Sequence, residues 1–472
     1  MALFFISCWV ERRLKMENVW KKYSGSKVKP VMEFGKEYID FMSASKTERE
    51  TVENSIALAK KAGFKDLMAC KKVKSGDKVY FNNRGKSLFL FVVGKKDLSE
   101  GLNILGAHVD SPRLDLKQHP LYEDSGLVLL DTHYYGGIKK YQWVAQPLAL
   151  HGVVCKKDGS TVKVVIGEKD DDPVVGVSDL LIHLAADQMK KTGANVVEGE
   201  DLNVLFGSIP ASSKGDEKEL VKKNILALLK QKYDIEEEDF ISAEIEVVPA
   251  GKARDYGLDR SMVMAYGQDD NVCAYTSLRA ILEMDMPDRT SCCILSDKEE
   301  VGSQGNTGMC SSAFENSLAE LMDKRGQYSE LNIRRCLRGS YMLSSDVSAA
   351  HDPNYPSVTS PNHNNAEFGK GIVFNKYTGS RGKSGSNDAN PEFIAKIRKA
   401  LDDNKVAYQT SELGKVDQGG GGTIAYILAN KDVEVIDAGV AVQNMHACYE
   451  VTSKVDIYEA YLAYKVFLKD IK

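Results

Sequence analysis

The 472-residue sequence predicts an α/β fold, a mixed sheet with helices on both faces, interrupted by an inserted block that is first β-rich and then helical. Three observations support this. From about residue 246 onward, short apolar runs of strand length alternate with longer amphipathic runs of helix length. Between about residues 117 and 245 that alternation gives way to β-rich segments followed by helical ones. Finally, several apolar runs end in histidine or carboxylate side chains, and open α/β sheets bind ligands beyond the carboxyl ends of their strands.

TERETVENSIALAKKAG (47–63) has the period of an amphipathic helix stopped by Gly63, and VYFNNRGKSLFLFVVG (79–94) reads as a hairpin turning at Asn83-Arg84-Gly85. LNILGA (102–107) is a short strand running straight into His108 and Asp110. The next block holds LVLLDTHYYGG and LALHGVVCKKDGSTVKVVIGE, with its Asp158-Gly159 turn. It continues with a helix expected near 176–192, a lysine-rich helix near 214–231 and the strand ISAEIEVVPA. Helices are then expected at 271–284, 309–325, 391–402, 422–429 and 456–470. The strands between them are 290–295, 340–345, IVFNKY, VAYQT and VEVIDAGVAV. The chain therefore divides into a first part (1–116) and a last part (246–472) of one domain, with a second domain (117–245) inserted between them.

Composition excludes several classes. The chain is 43% hydrophobic and 27% charged, as in ordinary globular proteins, and its net charge of −5 offers no basic face for nucleic acid. No run is long enough to span a membrane. Nine cysteines, an odd number without a C-x-x-C pair, suit neither a disulfide framework nor a zinc ribbon and fit a reducing, cytoplasmic setting. The opening MALFFISCWVERRLK lacks the basic start and small-residue cleavage site of a signal peptide, so Met16, which opens MENVWKKY, is expected to be the functional start.

SDKEEVGSQG (296–305) follows the apolar run TSCCIL, and its adjacent Glu299 and Glu300 repel each other unless a cation lies near them. The same pattern recurs. His108 and Asp110 follow LNILGA, Asp346 follows SYMLSS, His446 follows VEVIDAGVAVQNM, and Asp269 and Asp270 precede a helix. Any one of them could be a turn residue or a helix cap; five recurrences point to one shared site. Two imidazoles with several carboxylates suit zinc, manganese or cobalt in a catalytic rather than a structural site, and no H-E-x-x-H motif is present. A pair of metals sharing a carboxylate would activate a water between them, with one unligated glutamate as general base.

GAHVDSPRLDLK, QDDNVCAY, DKEEVGSQG, SSDVSAAHDPNYP, PNHNNAEFGKG and MHACYE occur in the order and spacing of the aspartyl aminopeptidase family, which the chain resembles from about residue 30 onward. These are di-metal exopeptidases of the bacterial leucyl aminopeptidase clan. The resemblance implies a zinc-exopeptidase-like domain interrupted by a dimerisation domain, with dimers assembled into a tetrahedral dodecamer. It implies two divalent ions per subunit, zinc first, cobalt or manganese next. His108, Asp270 and Glu300 would hold one, and Asp270, Asp346 and His446 the other, with Asp270 shared. Glu299 resembles the general base, and Asp110 would orient His108. His183 in LLIHLA resembles a histidine that reaches the active site of the partner subunit, and Gly420 in QGGGGT resembles a glycine segment lining the substrate cleft.

In better-known members two histidines follow the second-metal Asp, but this chain has His351 alone, with Asp352 next to Pro353. An acid there would repel an acidic N-terminal residue, so the preferred residue stays open; Lys370, Lys376 and Arg381 are the cations that could offset it. Short peptides are the expected substrates. A di-metal deacylase of N-acyl amino acids and a non-catalytic shell or binding protein are the alternatives.

Overall fold

The computed structural model describes residues 17–212, 218–360, 364–379 and 381–472; the start expected at Met16 lies outside them. Its centre is a nine-stranded mixed sheet in the order 65–66, 78–83, 87–92, 290–296, 102–108, 341–344, 434–439, 372–375, 408–411. The four strands 290–296, 102–108, 341–344 and 434–439 run parallel to one another. Parallel strands are covered on both faces, which is why LNILGAH and TSCCILS are buried at every residue.

Alternate side chains divide those two faces. Leu105, Cys293 and Leu295 pack with the helices Val28–Ala44, Glu48–Lys61, Gln268–Leu282, Pro391–Asp403 and Lys454–Asp470. Ile104, Cys292 and Ile294 pack on the other side with Ala313–Arg325, Glu330–Arg338 and Ala425–Ala429. The mixed sheet with helices on both faces is thus present. The helix expected at 47–63 is Glu48–Lys61, capped by Thr47, whose hydroxyl accepts from the Glu50 backbone. The hairpin turns at Arg84 and Gly85, both with positive φ.

A second, seven-stranded antiparallel sheet lies between Arg113 and Pro249, in the order 161–166, 148–155, 243–249, 113–124, 127–135, 204–207, 176–177. It has its own core around Trp143, Leu150, Ile225 and Val247. A third sheet, ordered 254–256, 262–265, 450–453, 441–443, 348–349, borders the parallel strands. VEVIDAGVAV, expected as one strand, is divided between two sheets: Glu434–Gly439 joins the central sheet and Ala441–Gln443 the third.

One expected element is absent. The helix placed near 176–192 is instead the short strand Gly176–Val177 followed by two 3-10 turns, Ile182–Leu184 and Gln188–Lys190. Leu180, Leu181, Ile182, Leu184 and Met189 are 55–74% exposed. A helix gains most of its stability from a buried apolar face, and within a single chain this segment has no surface to bury against. Conversely, Glu330–Arg338 is a helix that was not expected, capped by Ser329. No helix among the described residues is long and apolar enough to cross a membrane.

Candidate metal centre

Four chain segments meet at the carboxyl edge of the parallel strands. His108 ends strand 102–108, Glu299 and Glu300 follow strand 290–296, and Asp346 follows strand 341–344. Asp269 and Asp270 open the helix Gln268–Leu282, where both depart from helical angles and the peptide between them is cis. Asp269 sits between the imidazoles. Its Oδ1 lies 3.1 Å from His108 Nε2 and its Oδ2 lies 3.3 Å from His446 Nε2. Glu300 Oε1 is 3.6 Å from the same nitrogen of His446. Two sets of ligand atoms fall within 4.8 Å of one another: His108, Asp269 and Glu300, and His108, Asp270 and Asp346.

The surrounding hydrogen bonds fix which atoms face inward. His108 Nδ1 donates to the Asp110 carbonyl (2.9 Å) and His446 Nδ1 to the Gly137 carbonyl (2.8 Å), so each ring turns its Nε2 toward Asp269. The buried Asp110 carboxylate accepts from the backbone N–H of Glu299 (3.0 Å) and of Glu300 (3.2 Å), and from the Tyr135 hydroxyl (2.8 Å). It therefore ties the His108 strand end to the two-glutamate turn. Glu450 ties the opposite side, accepting from the backbone N–H of Asp269 (2.9 Å) and of His446 (2.8 Å). Sequence reasoning missed Glu450. It stands within MHACYE, and only the folding of that loop back onto the Asp269 turn gives it a role.

The electrostatics record a shortage of positive charge. Among the described residues, only histidines pair with Asp269 and Glu300, and no lysine or arginine does. Burial, reinforced by neighbouring carboxylates, pushes Asp270, Glu300 and Asp346 well above the usual carboxylate range. Burial also acts upward on Asp269, but its hydrogen bonds to His108 and His446 prevail and hold it well below that range. Burial would lower His446; its hydrogen bond to Asp269 and the charge of Glu300 outweigh this and raise it to about 10. Asp270 Oδ1 and Glu300 Oε1 are buried without a hydrogen-bond partner.

Residues 41–468 match the family model described as aminopeptidase I zinc metalloprotease (M18). The chain belongs to the peptidase M18 family. A probable M18 family aminopeptidase 1 of Clostridium acetobutylicum is 60% identical over 458 residues, covering 96% of this chain and 98% of that protein. The crystal structure of an M18 aminopeptidase from Thermotoga maritima superposes with a TM-score of 0.92 at 44% identity, covering 96% and 99% of the two chains. That of aminopeptidase I from C. acetobutylicum gives 0.91 at 55% identity, covering 97% and 99%. A yeast structure described as the mApe1 dodecamer shares the fold at 20% identity, with a TM-score of 0.75 over 93% and 96% of the chains. These comparisons favour neither the deacylase nor the shell alternative.

In this M18 chain the acid between the two imidazoles is Asp269, where the sequence pointed to Asp270. Asp270 instead accepts from the His108 backbone N–H (3.3 Å) and groups with Asp346. The reason is local: the chain is extended at Asp269 (ψ 105°) and turns toward helix at Asp270 (ψ 23°), so the two neighbouring side chains diverge. Of the expected groupings, His108 falls together with Glu300, while Glu300 also lies 3.6 Å from His446 and Asp346 groups with His108 and Asp270.

The remaining expected residues are more scattered. His351 is half-buried; among the described residues its Nδ1 has no hydrogen-bond partner, and its carbonyl accepts from Gln443. Gly419 lines a cavity with Asn444 and Met445, the two residues before His446, and Gly420, at φ 125°, is exposed. Lys370 lies 3.9 Å from Glu367, on a turn where Gly369 and Gly371 donate to the buried Asp456. His183 is exposed on the turn Ile182–Leu184, and among the described residues it takes no part in the hydrogen bonds or ion pairs of this cluster.

Proposed function

We propose that this M18 metalloprotease is a two-metal aminopeptidase removing the N-terminal residue from short peptides. The observation that carries the reading is Asp269, whose two oxygens each face one imidazole at 3.1 and 3.3 Å without a lysine or arginine to neutralise them. The donor set fits a pair of divalent ions. It offers two imidazole nitrogens and several carboxylates, two of them with orphaned buried oxygens. His446, Asp269 and Glu300 would hold one ion and His108, Asp269 and Asp346 the other, with Asp270 alongside. Zinc is first choice, cobalt or manganese next. When bound, such ions supply Lewis acidity toward the scissile carbonyl and the attacking water.

Glu299 is the general base of this reading. Its backbone is anchored on Asp110, while its side chain has no hydrogen-bond partner among the described residues. Burial, with repulsion from Asp269 and Asp110 against the pull of His108, pushes it up to about 7. A carboxylate near that value takes a proton from water and returns it to the leaving amine. Asp110 is a positioning residue for His108 and Glu299 together.

The sheet between Arg113 and Pro249 serves as the dimerisation domain in this proposal, spanning about residues 117–245. Exposed Leu180, Leu181, Ile182 and Leu184 form an apolar patch suited to a second copy of the chain, and His183 stands among them, so a partner would carry it toward a neighbouring site. A dodecamer is the proposed assembly, as in the yeast relative. The described cysteines are all free thiols, in keeping with a cytoplasmic location.

The test is Glu299→Gln, assayed on dipeptides after metal is restored. Loss of a proton-transferring carboxylate should lower kcat by about 10²–10⁴-fold while both metals stay bound. Residual activity within a few-fold of wild type would remove Glu299 from the mechanism.

A further inference from the structure

A cavity of about 500 Å³, which the mechanism above does not use, is walled in part by residues that neighbour His446 and Asp346 in the chain. We propose that this cavity receives the side chain of the substrate's N-terminal residue, and that Asp352 and Glu412 make it select a long basic side chain, lysine or arginine, over an acidic one. The inference rests on the aminopeptidase reading and supplies its substrate class.

Position comes first. The cavity wall includes Asn444 and Met445, immediately before His446, and Ala349 and Ala350, shortly after Asp346. None of its lining residues belongs to the turn that carries Glu299. A base that hands its proton to the leaving amine must face the leaving group. The leaving peptide therefore lies on the Glu299 side, and the acyl side, which carries the N-terminal residue, lies toward His446 and this cavity.

The lining is chemically divided. Ala349, Ala350, Val358, Leu413, Val442 and Met445 supply apolar wall. Asp352 and Glu412 supply negative charge, and both are half-buried. Among the described residues Asp352 Oδ1 accepts only the backbone N–H of Asn354 (2.8 Å), and Glu412 hydrogen-bonds with the Tyr377 hydroxyl. Neither forms an ion pair among the described residues. Lys139, the one basic residue of the lining among the described residues, is exposed. The other candidate cations are not available to it: Lys376 lies 3.5 Å from Asp388, and neither Lys370, Lys376 nor Arg381 lines the cavity.

Apolar wall ending in carboxylates suits a lysine or arginine, whose methylene stem packs on hydrocarbon while the charged head reaches the acids. An aspartate or glutamate would instead bring a third carboxylate beside two that form no ion pair among the described residues. A neutral aliphatic residue would be accepted with an intermediate rate, gaining the wall but not the charge.

The experiment measures kcat/KM of the metal-restored protein for X-Ala dipeptides with X as Lys, Arg, Leu, Asp and Glu, together with the double variant Asp352→Asn, Glu412→Gln. Wild type should cleave Lys-Ala or Arg-Ala at least about tenfold faster than Asp-Ala and Glu-Ala, the scale of one charge-assisted hydrogen bond. In the double variant the Lys-to-Asp ratio should collapse toward one, with cleavage of Leu-Ala reporting that the variant is folded. Equal or preferred cleavage of Asp-Ala by wild type overturns the inference and leaves the aminopeptidase reading standing. An unchanged Lys-to-Asp ratio in a double variant that still cleaves Leu-Ala overturns the assignment to Asp352 and Glu412. If wild type cleaves no dipeptide, the aminopeptidase reading fails and this inference falls with it.

Discussion

Around Glu48, Glu244 and Glu246 three carboxylates come within 4.8 Å of one another, as closely as the acids and histidine of the groups around His108. By proximity alone the two places are equivalent. Their counter-charges differ. Lys86 lies 3.0 Å from Glu48 and 2.7 Å from Glu244; Arg113 reaches Glu246 at 3.2 Å and Glu48 at 3.6 Å; Arg49 pairs with Glu244 at 2.8 Å. Burial would raise Glu48, yet Arg113 and Lys86 hold it well below the carboxylate range, while burial and the neighbouring Glu48 and Asp115 push Glu246 well above it. The chain supplies its own cations there. At the His108 cluster, among the described residues, only imidazoles pair with Asp269 and Glu300, and Glu300 and Asp346 are pushed up. Carboxylate number thus does not separate the two places, whereas the presence of lysine and arginine at one of them does.

The comparison can be broken by removing an internal cation. Arg113 is buried, bridging helix Glu48–Lys61 to the second sheet through Glu48, Asp115 and Glu246. Arg113→Ala leaves those carboxylates without their partner and should cost about 3–5 kcal/mol of stability, read from denaturant unfolding, with metal content unchanged. A loss below about 1 kcal/mol, the range of exposed pairs, would show that Lys86 suffices and that the contrast is overstated.

It can be sharpened at the other cluster. Glu450 accepts two backbone N–H groups there, one on each side of the site, and touches neither ring. Glu450→Ala should weaken metal binding about 10–100-fold, as outer supports of metal ligands do, in calorimetric titration of metal-free protein. Glu450→Gln, which keeps an acceptor oxygen, should recover part of that loss. Equal affinity in both variants and wild type would reduce Glu450 to a structural residue.

Much of this was legible in the chain. Buried parallel strands ending in His108, Glu299–Glu300 and Asp346 announce themselves, because apolar runs that stop abruptly at ionisable residues have few other uses. The choice between Asp269 and Asp270 was not legible, since it depends on one turn of backbone at a helix start. The exposed segment at 180–189 reads as a helix because its leucines suit one, but helicity needs a surface to bury against, and that lies outside a single chain. Glu450 and the Glu48 group have no local signature at all; Asp269 lies 181 residues from Glu450, and Lys86 and Arg113 lie more than a hundred residues from Glu244 and Glu246.

The central claim is that Asp269 is the carboxylate shared by two metals. Metal-free wild type, Asp269→Asn and Asp270→Asn should be titrated with zinc and the bound metal counted per subunit by mass spectrometry under native conditions. The account predicts two ions in wild type, loss of both from Asp269→Asn at concentrations that saturate wild type, and at least one retained by Asp270→Asn. Two ions bound by Asp269→Asn with wild-type affinity would contradict it.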